Sequence, residues 1–135
     1  MSENEKNSLL IVDDDTTNLT ALIQIFQNDY TIYTAKNGLI AIKNAETYLP
    51  DLILLDLLMP DMTGYEVLST LKHMEKTRAI PVIVITGLNS TGYEKKALAS
   101  GAIDFVAKPI NTEEIKLKVK NQMEIINKFR TQKSQ

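Results

Sequence analysis

Apolar and polar positions fall in blocks along this chain. Ser8 to Val12 (SLLIV), Leu52 to Asp56 (LILLD) and Ile80 to Thr86 (IPVIVIT) are short apolar runs with little polar relief. That is the pattern of strands buried on both faces of a parallel sheet. Tyr30 to Ala35 (YTIYTA), rich in β-branched and aromatic residues, and Ile103 to Ala107 (IDFVA) predict two more strands. Between the strands, apolar residues recur at helical spacing. Leu19, Leu22, Ile23 and Phe26 follow the first strand, with Thr16, Thr17 and Asn18 offering caps. Ile42, Ala45 and Leu49 share a helical face after the Asn37-Gly38 turn, and Val67, Leu68, Leu71 and Met74 do so after the break at Pro60 and Gly64. A short helix over Tyr93 to Ser100 is closed by Gly101. The last helix begins at Asn111 or Thr112, with Glu113 and Glu114 suiting the positive end of its dipole.

Five strands alternating with five helices predict an α/β fold: a doubly wound parallel sheet with helices on both faces, the arrangement that right-handed crossovers produce. All strands of such a sheet end at one edge, beside the crevice where open α/β folds bind ligands. Strand one ends in Asp13 and Asp14, strand three in Asp56, strand four in Thr86 and strand five in Lys108. Hard carboxylate oxygens suit Mg²⁺, while a lysine and a threonine suit phosphoryl oxygens. Each residue alone has a plainer explanation. Asp13, Asp14 and Asp15 would be a solvated loop or a helix start, and Thr86 a strand-end cap. The set, brought to one edge, reads as an Mg²⁺ and phosphate site, with Asp56 as the reactive group.

Composition narrows the picture. At 135 residues, with 44% hydrophobic and 24% charged residues, the chain fits one globular domain. A net charge of −2 and a pI near 5.4 give no electrostatic footprint for nucleic acid. The absence of cysteine excludes disulfides and thiol catalysis. No apolar run approaches a membrane span and the polar start MSENEKNS has no signal-peptide core, so a soluble, cytoplasmic protein without direct nucleic-acid or membrane binding is expected. His73, among Lys72, Glu75 and Lys76, is expected in solvent.

IVDDD (Ile11 to Asp15), LLDLLMPDMTG (Leu54 to Gly64), PVIVITG (Pro81 to Gly87) and GAIDFVAKPI (Gly101 to Ile110), in this order and spacing, make the chain resemble the response-regulator receiver domain of two-component signalling over residues 8 to 123. The resemblance implies a flavodoxin-like strand order of 2-1-3-4-5. Asp56 matches the phosphoacceptor, which takes its phosphoryl group from a phosphohistidine on a sensor histidine kinase or phosphotransfer protein. Asp14 matches the direct Mg²⁺ ligand, Asp13 the acid that works through water, and Leu58 the residue whose backbone carbonyl completes the protein ligands. Lys108 and Thr86 match the partners of the phosphoryl oxygens, and Lys108-Pro109 a peptide that is usually cis. Phe105 matches the switch aromatic that turns inward behind Thr86. The output surface is then the 93–100 helix, strand five and the last helix; a homodimer through that surface or through the C-terminal helix is one expectation, an ordinary charged surface the plainer one.

Two departures from the family's usual polar choices stand at Leu58 and Leu88, positions that flank the hydrolytic water. Neither leucine can orient a water or take its proton, so a long-lived phosphoryl group is expected. Ile115, Val119, Gln122, Ile126 and Phe129 continue a four-three spacing past Met123. Residues 1–7 are therefore read as a flexible tail and 124–135 as a helical extension: a dimerising helix, the start of a linker to an output domain beyond residue 135, or a last helix packed on its own domain. The alternative class is a haloacid-dehalogenase-like phosphatase with Asp13 as nucleophile and Asp15 as general acid. It leaves Asp56 and its loop unexplained. A receiver module of a larger hybrid kinase or cyclase is also compatible. A flavodoxin-like FMN binder would need a phosphate-cradling loop where Asp13, Asp14 and Asp15 stand.

Overall fold

The computed structural model describes residues 6–59, 62–87 and 91–134, and the notable positions Pro60 and Leu88 lie outside them. The elements run β1 (Ser8–Val12), α1 (Thr16–Phe26), β2 (Thr31–Ala35), α2 (Gly38–Tyr48), β3 (Leu52–Asp56), α3 (Gly64–His73), β4 (Val82–Thr86), α4 (Thr91–Ala99), β5 (Asp104–Ala107) and α5 (Thr112–Ser134). The strands form one parallel sheet in the order 2-1-3-4-5. Doubly wound α/β architecture is thus what the alternation of runs specified.

Strand periodicity divides the core in two. Leu10 and Val12, Ile53 and Leu55, and Val82 and Val84 point to one face, where α2, α3 and Ala97 of α4 cover them. Leu9 and Ile11, Leu52 and Leu54, and Ile83 and Ile85 point to the other, under Leu19, Leu22 and Phe26 of α1 and Ile115, Val119 and Met123 of α5. All five residues of β3 and of β4 are buried, which explains their near-continuous apolar sequence.

The helix starts differ in detail from the sequence expectation. The cap of α1 is Asp15, whose Oδ1 accepts from the N–H groups of Thr17 and Asn18 at 2.8 and 3.2 Å; Thr16 to Asn18 are already helical. A carboxylate answers the helix dipole better than a hydroxyl does. Asn37 caps α2, and Thr63 caps α3 through a reciprocal capping box with Glu66. Leu49 does not share the buried face of Ala41 and Ala45: it is the C-cap of α2, left-handed at φ 47° and exposed. At the start of α3 a Cβ on Gly64 would lie 2.5 Å from Leu57 Cα and 2.8 Å from the Asp56 carbonyl oxygen, so only glycine lets α3 sit against the end of β3.

The four-three spacing in α5 faces inward at its start. Ile115 and Val119 belong to the domain's own core, Ile126 packs against its margin, and Phe129 is 62% exposed. Asp104 and Lys118 pair within the chain at 3.4 Å. His73 is exposed, its Nδ1 2.7 Å from the Ser69 carbonyl. No helix among the described residues is long and apolar enough to cross a membrane.

Candidate functional site

At the carboxyl edge of the sheet, registers decide which side chains meet. Val12 pairs with both Ala35 and Leu55, so Asp13 and Asp56 each stand one residue past that level on adjacent central strands. Asp13 keeps the ladder going by donating its N–H to the Ala35 carbonyl at 3.1 Å. One ligand oxygen from each of Asp13, Asp14 and Asp56 falls within 4.8 Å of the others; Asp13 and Asp56 are buried and Asp14 is exposed. Lys108 continues the β4–β5 pairing through its N–H on the Thr86 carbonyl at 2.9 Å, and its Nζ reaches Asp56 Oδ2 at 3.2 Å. The other carboxylate oxygen, Oδ1, accepts from the Leu58 N–H at 3.0 Å. The Lys108-Pro109 peptide is cis.

Like charges so close disfavour full ionisation. Burial pushes the Asp13 carboxyl up to about 6, and the charges of Asp56 and Asp14 add to the rise, against the opposing pull of the Asp15 N–H bond and Lys108. Asp13 Oδ1 takes that N–H bond at 2.9 Å, while Oδ2 is buried with no hydrogen-bond partner among the described residues. A buried carboxylate oxygen with nothing to bind, facing two further carboxylates, is chemically suited to a hard divalent cation. These residues therefore fit Mg²⁺.

Thr86 ends β4 one residue beyond Ile85, the partner of Asp56, and its hydroxyl is, among the described residues, the other buried polar group without a hydrogen-bond partner. By strand alternation it shares the face of Val82 and Val84. Phe105, opposite Val84, packs partly against that same core, with Lys118 Nζ 5.2 Å from its ring centroid. Leu58 is 59% exposed, with Cδ1 3.2 Å from where a Cβ on Gly87 would lie, so an apolar side chain spans between the β3 and β4 loops. The acids, Lys108 and the Leu58 N–H thus converge on one point. Thr86 stands one residue past the partner of Asp56 on the adjacent strand, and Phe105 on the strand beyond that, opposite Val84.

Asp15, the general acid of the alternative phosphatase reading, is committed to capping α1 and is not in the carboxylate group. A helix start was the plainer sequence explanation for these acids, but the cap itself was expected at Thr16 to Asn18, although an Asp directly before a helical apolar pattern is a cap signal in its own right.

Fold and site together define a flavodoxin-like α/β domain with an acidic, cation-competent pocket at its carboxyl edge. Comparison with known proteins makes the assignment sharper: the chain belongs to the response regulator receiver domain family, whose profile matches residues 9–120. It is a phosphoryl-accepting signalling module of that family. It is 40% identical over 124 residues to Histidine kinase P4 of Formosa agariphila, covering 92% of this chain but 9% of that protein. Two other curated relatives are spanned to 28% and 23% of their lengths. Among solved structures, it resembles a CheY-like response regulator receiver domain protein from Methanospirillum hungatei (28% identity, TM-score 0.84, 92% of this chain and 98% of the other). The receiver domain of sensor histidine kinase PA1611 from Pseudomonas aeruginosa, solved with magnesium coordinated in its active site cleft, has 25% identity and a TM-score of 0.81 over 88% of this chain and 98% of its own.

Proposed function

We propose that Asp56 is the phosphoacceptor. The observation that carries this is the convergence of Lys108 Nζ and the Leu58 N–H on its two oxygens inside the carboxylate cluster. The donor is a phosphohistidine on a sensor histidine kinase or a phosphotransfer protein. An Asp56 oxygen forms the new P–O bond as the P–N bond breaks, and the electron pair of that bond returns to the imidazole. Asp13, Asp14, Asp56 and the Leu58 carbonyl would hold Mg²⁺, which when bound offsets the negative charge gathered between the acids and the phosphoryl group. Lys108 supplies a cation for one phosphoryl oxygen and the Leu58 N–H a donor for another. Transfer is then chiefly a matter of position and electrostatics.

The switch uses the unpartnered hydroxyl. A phosphoryl group brings about −1.5 to −2 charges and three acceptor oxygens, and Thr86, buried with no hydrogen bond to its hydroxyl among the described residues, gains a partner by moving towards it. Phe105 follows into the space that Thr86 leaves, and α4, β5 and α5 carry the change outwards. Having no hydroxyl, Phe105 can bury its ring without a polar partner. The receiver unit spans residues 8–123, acts as a signalling module and not as a turnover enzyme, and works in the cytoplasm. Residues 124–135 extend its last helix. The chain spans 9% and 28% of two relatives but 85% of the response regulator DivK of Brucella anthropi, which is compatible with a module of a larger hybrid kinase or cyclase and with a single-domain regulator.

The test is intact mass after incubation with acetyl phosphate and Mg²⁺ for wild type, Asp56→Asn and Asp13→Asn. One base-labile phosphoryl adduct on wild type, absent from Asp56→Asn, is expected. Catalytic phosphate release that depends on Asp13 and not on Asp56 would replace the receiver reading with the phosphatase.

A further inference from the structure

At the opposite end of the sheet stands a second, nearly buried carboxylate that the phosphoryl chemistry does not use. Asp51 directly precedes β3, and its side chain is 8% exposed. Its Oδ2 accepts from the Ser8 N–H at 2.7 Å and from Asn7 Nδ2 at 3.2 Å, which ties the start of β1 to the start of β3. Its Oδ1 accepts from the guanidinium of Arg130, far along α5. Asn7 and Asn127 exchange a reciprocal pair of side-chain hydrogen bonds at 3.0 and 3.1 Å. Ile126, beside Asn127, packs against the margin of the α1–α5 core.

Three residues of α5, at positions 126, 127 and 130, therefore face the amino edge of the sheet, and each engages it by a different force: packing, neutral hydrogen bonding and an ion pair. The ion pair is the directional one, since Asp51 is mostly withdrawn from water and its other partners are neutral. Apolar burial alone would not hold this stretch, because Ile125 and Phe129 point to solvent. Polar contacts from outside the helix decide where it lies.

We infer that Asp51 and Asn7 form a latch that clamps residues 126–130 of α5 to the amino edge of the sheet. The latch makes the helical extension one rigid body with the domain and fixes the direction in which it leaves. Opened, the stretch past Met123 loses the contacts that hold it from outside, so its helical turns fray and its bearing spreads. A movement of the sheet's amino edge is then felt at the end of α5 only while the latch is closed. The inference is independent of the chemistry at Asp56.

The chain lacks cysteine, so two introduced cysteines carry the only spin labels. Labels at Lys43→Cys on α2 and Lys133→Cys near the end of α5 report the bearing of the extension by pulsed dipolar spectroscopy of the full chain. A single narrow distance distribution is expected with Arg130 and Asn127 intact, and a broad one in Asn127→Ala/Arg130→Ala. Arg130→Lys should restore part of the narrowing. In parallel, amide exchange over residues 124–130 should rise at least about tenfold in the double variant, with β1 and β3 unchanged. Equal distributions in both proteins overturn the latch. So does an exchange increase that spreads through the sheet, because the contacts would then be serving global stability and not the bearing of α5.

Discussion

Gly64→Ala adds one methyl group at the tightest junction of the fold, between the start of α3 and the end of β3. Its Cβ would lie 2.5 Å from Leu57 Cα, 2.8 Å from the Asp56 carbonyl oxygen and 2.8 Å from Leu57 Cδ2. Two of these neighbours are backbone, so a side-chain rotation cannot relieve the overlap and α3 must move off the strand. Overpacking of this kind costs about 1–3 kcal/mol. The reduced freedom of the unfolded chain returns about 0.4–1 kcal/mol, which leaves a net loss of about 1 to 1.5 kcal/mol. For a chain of this size that is a fall of about 4–6 °C in melting temperature. Gly92→Ala is the internal control. It lies in α4, no described atom stands within 4 Å of its Cβ, and it should be neutral or stabilising by up to about 1 kcal/mol. Calorimetry or urea titration of the two variants beside wild type gives the comparison. The displaced backbone also carries Asp56 and Leu57, so Gly64→Ala should slow phosphorylation by acetyl phosphate, whereas Gly92→Ala should not. A Gly64→Ala protein that melts with wild type would refute the argument that this junction is closed to a side chain.

Other outcomes follow from the same geometry. Because the folded-state Asp13 carboxyl is raised to about 6, above its value in the unfolded chain, the stability it contributes is complete below about pH 4 and is lost as pH rises through 6. Urea titrations of metal-free protein should show that loss, Mg²⁺ should reverse it at neutral pH, and Asp13→Asn should flatten the profile; a wild-type profile flat from pH 4 to 7 would count against it. Lys108→Ala should slow phosphoryl transfer at least about tenfold, read by intact mass over time, because it removes the ammonium bonded to Asp56. Leu58→Glu places a proton acceptor at the pocket mouth and should shorten the phosphoryl lifetime about tenfold or more. A wild-type half-life of seconds would defeat the argument from its apolar side chain. Thr63→Ala removes half of the α3 capping box and should cost about 1 kcal/mol in the same urea titrations.

Much of the site was legible because strand ends obey a simple rule. Once LILLD and IPVIVIT read as parallel strands, Asp56 and Thr86 had to reach the same edge, and Asp13, Asp14 and Lys108 had to join them. Features decided by distance along the chain were not legible in this way. Asp51 sits before an apolar run like any loop acid, and nothing local shows that it binds Arg130, 79 residues away. Leu49 looked like a helix-face residue because periodicity carries no information about which residue adopts the left-handed cap. The four-three spacing of α5 was real, but one apolar stripe serves equally for a partner helix or for the domain's own sheet, and here Ile115 and Val119 take the second use.

The burial of β3 has a mechanical consequence. Its residues are paired in register with β1 on one side and β4 on the other, and no residue of the strand reaches solvent. A slip of one position would turn every side chain to the wrong face of the sheet, so the strand cannot slide in answer to a new charge at its tip. Asp56 is mounted at the end of a strand held by neighbours on both sides and covered on both faces. If Asp56 takes the phosphoryl group as proposed, the added group leaves its own support in place and does work on its neighbours, and the signal would travel across the sheet, from strand to strand, instead of along the strand that receives it.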